Sequence, residues 1–231
     1  MTDAKENEML SVKKLSVSFG GKTLLKNIVL EVADGARHLL RGANGSGKTS
    51  LVQAVAGNPD YKVDGGEIIF DGRDITGIEA SARARAGLFV GAQTVPEIAG
   101  LSVSSFLKHS MSAHDPKLSS GEFFQRLNAA RARLSVPESW MGRSVNAGFS
   151  GGEKKRLMFL HLLLLQPKLA ILDEPDSGVD ADAQKTFADV IAEMNGARRA
   201  TTFLVISHQD KFTEMLSPTA TSALSNGEIV V

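Results

Sequence analysis

The stretch GANGSGKTS, residues 42–50, decides the fold of this chain. It fits the pattern G-x-x-x-x-G-K-[ST], in which the backbone N–H groups of a glycine-rich loop surround a phosphate. The helix that follows such a loop adds unpaired N–H groups and the positive end of its dipole. In this pattern Lys48 reaches the outer phosphates and Thr49 binds Mg²⁺. The stretch therefore predicts a phosphate-binding loop, provided that a strand precedes it and a helix follows it.

The sequence on both sides supplies these two elements. Residues 37–41 form a short, partly apolar run after a turn, which predicts a strand. Residues 50–56 place Leu51, Val52 and Val55 on one helical face. Strand, loop and helix thus follow each other in the order that phosphate binding requires.

The composition is that of an ordinary globular protein. The chain has 231 residues, of which 42% are hydrophobic and 23% are charged. Its 26 basic and 26 acidic residues give a formal net charge of zero, so overall charge does not favour a nucleic-acid or anionic-membrane surface. The chain contains no cysteine, which excludes disulfides and thiolate metal ligands. Because no apolar run could span a membrane and residues 1–9 lack a secretory signal, we expect a cytoplasmic protein.

The hydrophobic pattern predicts an α/β fold with an antiparallel start. Apolar and polar residues alternate in residues 15–19 and 28–32 around a glycine turn, which is typical of two antiparallel strands. Residues 169–172 and 202–206 are continuous apolar runs, which favour buried parallel strands. Residues 94–165 carry helical patterns broken by prolines and contain no convincing strand, so we predict a mostly helical insertion there.

Two adjacent carboxylates, Asp173 and Glu174, follow the first of these apolar runs. In a nucleotide-binding sheet the carboxyl ends of the strands face the ligand. We therefore predict that Asp173 belongs to the Mg²⁺ shell and that Glu174 orients and deprotonates the attacking water.

The octet FSGGEKKR, residues 149–156, predicts the start of a helix. Ser150 followed by Glu153 forms a capping-box pattern. Gly151 and Gly152 in the first turn cost helix stability and leave the backbone open to close approach. A phosphate docked at this turn would explain that exposure. An ordinary capped helix with a basic solvated face is the alternative.

Together these motifs resemble the ATP-binding cassette (ABC) ATPase family over essentially the whole chain. The matching features are GANGSGKT as the Walker A sequence, LAILDE as the Walker B sequence, FSGGE as the signature sequence, Gln93 as the Q-loop, residues 177–180 as the D-loop, His208 as the switch histidine and Phe19 as the aromatic residue against adenine. The resemblance implies one ABC ATPase domain over residues 1–231. Its P-loop core, with an antiparallel β subdomain, would comprise about residues 1–93 and 166–231, and residues 94–165 would form a helical subdomain that carries the signature.

The resemblance also implies a composite ATP site between two such domains arranged head to tail. Glu174 would be the general base, Gln93 would touch Mg²⁺ and the attacking water, and His208 would contact the γ-phosphate. The metal site would consist of Thr49, Gln93 and Asp173. The nucleotide site would consist of Phe19, Gly42, Asn44, Gly45, Ser46, Gly47, Lys48, Thr49, Ser50, Ser150, Gly151, Gly152, Glu153 and Asp180, with Ser150, Gly151 and Gly152 supplied by the facing subunit.

Three further features, in residues 56–66, 143–156 and 173–180, resemble the SufC family, the ATPases of the SUF iron–sulfur cluster assembly system. This resemblance implies that ATP-driven dimerisation rearranges a scaffold of SufB, or of SufB with SufD. It implies no direct insertion into a membrane and no nucleic-acid partner.

Two alternatives to the SUF role remain open at the level of the sequence. The chain could be the nucleotide-binding subunit of a membrane ABC transporter, in which the helical region grips a permease. It could also be an ATP-dependent switch on nucleic acid or ribosomes. The short cluster of Arg126, Arg131 and Arg133 is weak support for this second alternative.

Overall fold

The computed structural model describes residues 8–198 and 200–230. Most of the amino-terminal segment in which we expect no secretory signal, residues 1–7, lies outside the described residues. In chain order the described elements are β1 (Glu8–Phe19), β2 (Lys22–Ala33), β3 (Arg37–Arg41), α1 (Lys48–Ala56), β4 (Tyr61–Phe70), β5 (Arg73–Asp74), α2 (Ala80–Arg85), β6 (Leu88–Gly91), β7 (Ile98–Ser102), α3 (Val103–His114), α4 (Ser120–Arg133), a 3₁₀ helix (Glu138–Gly142), β8 (Ser144–Val145), α5 (Gly151–Leu165), β9 (Leu169–Asp173), α6 (Ala181–Asn195), β10 (Thr202–Ile206), α7 (Asp210–Leu216), β11 (Ala220–Ser225) and β12 (Glu228–Val230).

The central sheet has the strand order β12-β11-β3-β10-β9-β6. Strands β11, β3, β10, β9 and β6 are parallel, and β12 closes the sheet as an antiparallel hairpin with β11. Helix α1 follows β3 directly after the glycine-rich loop, as the sequence predicts. The α/β fold class is thereby confirmed.

Strands β9 and β10 read as continuous apolar runs because both faces of the sheet are covered. Ala170 and Leu172 of β9 point into a core cluster that includes α5 and α6, where the rings of Phe159 and Phe187 stack with their centroids 4.0 Å apart. Leu169 and Ile171 alternate with them and point into a second cluster, which includes α1 and the amino-terminal strands. The sheet therefore fixes the phosphate loop between two packed layers.

The antiparallel start is confirmed as a four-stranded sheet with the order β2-β1-β4-β5. Strand β1 pairs with both β2 and β4, and its ladder is irregular at Lys14, which has a positive φ of 48°. Gly66 of β4 lies against this irregularity with φ of 88°. A Cβ atom on Gly66 would lie 2.5 Å from the backbone oxygens of Lys13 and Lys14.

Gly66→Ala is expected to lower the free energy of unfolding by about 2–3 kcal/mol, because the added methyl meets backbone atoms and alanine is strained at this φ. Gly65→Ala is the matched control, since a Cβ there meets nothing within 4 Å. Urea unfolding followed by the fluorescence of Trp140 measures both variants. Equal urea midpoints for Gly66→Ala and Gly65→Ala would show that β1 shifts to accommodate the methyl group without loss of stability, contrary to this expectation.

The region of residues 94–165 contains α3, α4 and α5, but the prediction that it holds no strand is wrong. Strands β7 and β8 pair in it, with Ile98 opposite Val145 and Ser102 opposite Ser144. Strand β8 has only two residues and β7 contains Gly100, so neither carries an alternating pattern that the sequence could display. The boundaries of a separate helical subdomain stay a prediction.

Candidate active site

The parallel strands bring four sequence motifs to one edge of the central sheet. Strand β3 ends at Arg41, just before the glycine-rich loop, and β9 ends at Asp173. Ile206, the last residue of β10, lies opposite Asp173, and Gly91, the last residue of β6, lies opposite Leu172. Because the carboxyl ends of parallel strands meet at one edge, the loops that follow them converge there.

The glycine-rich loop is shaped to close around a small group. Gly42 has φ of 154°, and a Cβ atom on it would collide with the backbone oxygen of Leu224 and lie 2.7 Å from the hydroxyl of Ser46. The amine of Lys48 lies inside the loop and donates to the carbonyls of Gly42 at 2.7 Å and Ala43 at 2.9 Å. Lys48 is 7% exposed. The loop therefore holds one buried positive charge within a ring of backbone groups.

A cavity of about 370 Å³ opens on this loop and brings together eight of the predicted site residues. Its lining consists of Leu24, Asn44, Gly45, Gly47, Lys48, Thr49, Ser50, Gln93 and Glu174. Leu24, which no motif in the sequence singles out, belongs to β2 and forms the wall contributed by the antiparallel sheet.

Thr49 and Asp173 meet at the floor of the site. The hydroxyl of Thr49 donates to Oδ2 of Asp173 at 3.2 Å. Burial raises the pKa of the Asp173 carboxyl, and this hydrogen bond opposes the rise. A hydroxyl and a carboxylate at this separation are oxygen ligands of the kind that Mg²⁺ prefers.

Glu174 occupies the centre of the site in a left-handed backbone conformation, with φ of 50°. Its Oε2 accepts from Nε2 of Gln93 at 2.9 Å, and its Oε1 lies 3.7 Å from Nε2 of His208. The structure thus places the three predicted catalytic residues side by side.

Lys155 is a site residue that the sequence analysis missed. Its Nζ donates to the carbonyl of Glu174 at 2.5 Å, and the residue is only 8% exposed. Burial lowers the pKa of the Lys155 amine, and the nearby Asp173 opposes this. The run of three basic residues is typical of a solvated face, but the spacing to Met158 and Leu162 places Lys155 on the buried face of α5.

The signature residues form the exposed start of α5. The capping box is confirmed, because the Ser150 N–H donates to Glu153 Oε2 at 2.7 Å and the Glu153 N–H donates to Ser150 Oγ at 3.3 Å. Among the described residues, the lining of the 370 Å³ cavity includes none of the predicted signature contacts. Gly151 instead lines a neighbouring cavity of about 250 Å³ together with Gln93 and Lys155.

Asp180, the remaining acidic residue of the predicted nucleotide site, caps helix α6. One of its carboxylate oxygens accepts from the N–H of Ala183 at 2.7 Å, and the other lies 3.9 Å from Arg156. Like the signature residues, Asp180 is outside the cavity lining that the structure describes.

Phe19 lies at the end of β1, where its side chain is 47% exposed. It pairs across the sheet with Tyr61 of β4, and the two ring centroids are 5.0 Å apart. Phe19 therefore does not pack in the core, although it alternates with the buried residues Leu15 and Val17.

A second, larger concavity lies between the central sheet and helices α3 and α5; we call it the apolar groove. It measures about 870 Å³, and its lining includes Val95, Pro96, Ile98, Phe106, His161 and Leu165. Nε2 of His161 lies 2.6 Å from the hydroxyl of Ser110. Burial lowers the pKa of His161 to about 4, so its ring is neutral at neutral pH. The groove begins two residues after Gln93 and therefore adjoins the active site.

Two of the three arginines in the cluster that the sequence shows have side-chain partners, whereas Arg126 is exposed. Arg133 forms an ion pair with Glu193 at 2.6 Å, and Arg131 bonds to Asn128 at 3.1 Å.

Within residues 8–198 and 200–230, every helix is too short or too polar to cross a membrane.

Known proteins show a close likeness to this chain in sequence and in fold. The ABC transporter family model matches residues 25–177. A probable ABC transporter ATP-binding protein of Streptococcus pyogenes serotype M3 is 38% identical, over 96% of this chain and 88% of its own. The probable ATP-dependent transporter SufC of Escherichia coli K12 is also 38% identical, over 96% of this chain and 91% of its own.

The fold itself matches that of solved cassettes. The dimeric post-hydrolysis state of the ATP-binding cassette MJ0796, bound to ADP and Pi, superimposes with a TM-score of 0.83 over 96% of this chain and 97% of that chain. Its 18% identity supports the fold alone. The family model and the relatives, in contrast, share the sequence as well as the fold. The chain therefore belongs to the ABC transporter family, and it is an ATP-hydrolysing cassette similar to SufC.

Proposed function

We propose that this cassette hydrolyses Mg-ATP at the sheet edge described above and uses the cycle to rearrange a SufB/SufD-type scaffold in the cytoplasm during iron–sulfur cluster assembly. The observation that carries the chemistry is the convergence of the Lys48 amine, the Thr49–Asp173 pair and the Glu174 carboxylate on one cavity. The similarity to SufC carries the scaffold role.

The residues of the loop fit both the triphosphate and the metal. The Lys48 amine would bind the outer phosphates, and the backbone N–H groups of residues 42–49 would surround them. Thr49 and Asp173 would hold Mg²⁺, with Gln93 beside them. When bound, Mg²⁺ would neutralise negative charge that develops on the phosphates.

The catalytic work of this chain would begin at Glu174. Its carboxylate would take the proton of the attacking water, while the amide of Gln93 and the ring of His208 orient water and γ-phosphate. Gln93 and His208 already lie 2.9 Å and 3.7 Å from that carboxylate.

The adenine would stack on Phe19 at the end of β1. An exposed aromatic face is what a base requires for stacking. Tyr61 of the neighbouring strand lies beside the ring of Phe19.

A second copy of the chain, head to tail, would complete the site. Ser150, Gly151, Gly152 and Glu153 form the start of α5, where the capping box uses the N–H groups of Ser150 and Glu153 and leaves those of Gly151 and Gly152 to meet a phosphate from the facing subunit. Asp180 lies next to this surface, since it approaches Arg156 of the same helix. The solved cassette MJ0796 is a dimer, in agreement with this arrangement.

The apolar groove is the proposed docking site of the scaffold. Its apolar lining and its position next to Gln93 would let a docked partner sense the state of the nucleotide. The family name also favours a second candidate, a membrane permease whose cytoplasmic helix would fill the same groove. The two candidates differ in the partner and share the chemistry.

Ile98→Glu is expected to reduce partner recovery by roughly tenfold or more, because a carboxylate would be buried in an apolar contact. Ile98 lines the groove and is 37% exposed. Ile78→Glu is the matched control, since Ile78 is 43% exposed and lies outside the described lining of the groove.

The measurement is affinity purification of the tagged chain and both variants from soluble and membrane fractions of the native cell, with identification of what is recovered. A soluble partner that carries cysteines and is lost only from Ile98→Glu supports the SUF role. A polytopic membrane protein that is likewise lost only from Ile98→Glu would identify the chain as a transporter subunit. Equal recovery by Ile98→Glu and Ile78→Glu excludes the groove as the docking site.

A further inference from the structure

A network of polar side chains connects the loop after Glu174 with the segment that carries His208. Asp176 is 1% exposed, and its Oδ2 accepts from the hydroxyl of Ser207 at 2.7 Å. The backbone carbonyl of Asp176 accepts from Nε2 of Gln184 at 3.2 Å and from Nε2 of Gln209 at 3.0 Å. Strands β9 and β10 bring the loop after Glu174 next to the segment that carries His208, and these hydrogen bonds connect the two segments directly.

Gln209 is the residue at which this network closes. Its Oε1 accepts from Nε2 of Gln184 at 2.9 Å, so its amide group both donates and accepts. Its backbone N–H donates to the hydroxyl of Ser207 at 3.2 Å. Gln184 and Ser207 are buried, whereas Gln209 itself is exposed. The amide of this exposed residue is therefore bonded at both ends to buried residues.

His208 lies between the two anchored residues. Its side chain is 39% exposed, and its Nε2 is 3.7 Å from Oε1 of Glu174. Within the part of the chain that the structure describes, the ring has this one ionic neighbour. The direction of the ring is therefore set by the backbone of residues 207–209, which the network holds at both ends.

We propose that Gln209 is a positioning residue that holds His208 toward Glu174 by tying the histidine segment to Asp176 and Gln184. The inference rests on the proposed roles of Glu174 and His208. It adds that the switch histidine takes its position from the loop that leads from Glu174 into the D-loop of its own subunit, through the carbonyl of Asp176. A displacement of that loop would then be passed to His208 without any change in phosphate binding.

Gln209→Met is the direct test, because methionine keeps the length of the side chain and removes both amide hydrogen bonds. We expect kcat to fall by about tenfold, since small misplacements of a catalytic group are costly. The Kd for ATP should stay within about twofold, because the residue does not line the described cavity. Lys211→Met, on the exposed side of α7, controls for a new surface methionine and should keep normal kcat and Kd.

Gln209→Glu separates the two bonds of the amide. A carboxylate can still accept from Gln184, but it faces the carbonyl of Asp176 with an oxygen where the donor stood. We expect a loss of kcat at least as large as that of Gln209→Met. A Gln209→Glu variant with normal kcat would overturn the role of the bond to Asp176.

A double-mutant cycle with His208→Ala distinguishes positioning from a merely structural role. If Gln209 acts through His208, Gln209→Met should change kcat less than about twofold in the His208→Ala background. An equal tenfold loss in both backgrounds, or a near-normal kcat for Gln209→Met alone, would overturn the inference. Glu174→Gln in the same assay distinguishes a failure of the proposed site from a failure of the positioning role. Full activity of Glu174→Gln would refute the proposed site. An inactive Glu174→Gln together with a fully active Gln209→Met would refute the positioning role alone.

Discussion

Glu174→Gln is expected to lower kcat by roughly a hundredfold or more, which is the range for loss of a general base. The amide keeps the size of the side chain and can still bond to Gln93, so the structure of the site should persist. It cannot accept a proton from the attacking water. Because the phosphate loop is untouched, the Kd for ATP should change by less than about threefold.

Single-turnover hydrolysis and equilibrium ATP binding, measured on the same preparation, check this expectation. Glu214→Gln is the control, since Glu214 is an exposed carboxylate on α7. Turnover close to that of the unmodified chain would remove Glu174 from the role of the base. Loss of ATP binding together with turnover would mean that the substitution damages the loop, and it would equally contradict the assignment.

Lys48→Ala is expected to weaken ATP binding by roughly a hundredfold, about 3 kcal/mol, because charge-assisted hydrogen bonds to the phosphates are lost. The Lys48 amine is buried in the loop and held by the carbonyls of Gly42 and Ala43, so it is preorganised for an anion. No neighbouring cation lines the described cavity that could replace it.

Titration calorimetry with ATP and Mg²⁺ measures the affinity, and Lys185→Ala on the exposed side of α6 is the control. The two variants are thus expected to differ in the step that they impair. Lys48→Ala loses ATP binding, and Glu174→Gln loses turnover while it still binds ATP. An unchanged Kd for Lys48→Ala would show that the phosphates lie elsewhere.

The motifs were predictable because each is a local pattern with a local physical reason. A glycine-rich loop ahead of a helix, a capping box at Ser150 and two carboxylates after an apolar run can be recognised within a few residues. The structure forms all of them at the predicted places. Their roles in catalysis stay predictions until the variants are measured.

The errors concern features whose signal is spread over distant segments. Strands β7 and β8 lie some forty residues apart, and each is too short to show a period, so only their pairing makes them strands. Lys155 appeared in a basic run, although its helical position places it among buried side chains.

The sequence by itself determined the α/β class, the phosphate loop, the order of the motifs and the likeness to the ABC and SufC families, since these depend on neighbouring residues. Only the tertiary structure decided which of them meet. Gln93, Glu174 and His208 are separated by tens of residues, and the parallel register of β6, β9 and β10 brings them together. The tie from Gln209 to Asp176 likewise exists only because those two strand ends are neighbours in the sheet. Contacts of this kind depend on the packing of the whole domain, which no local pattern contains.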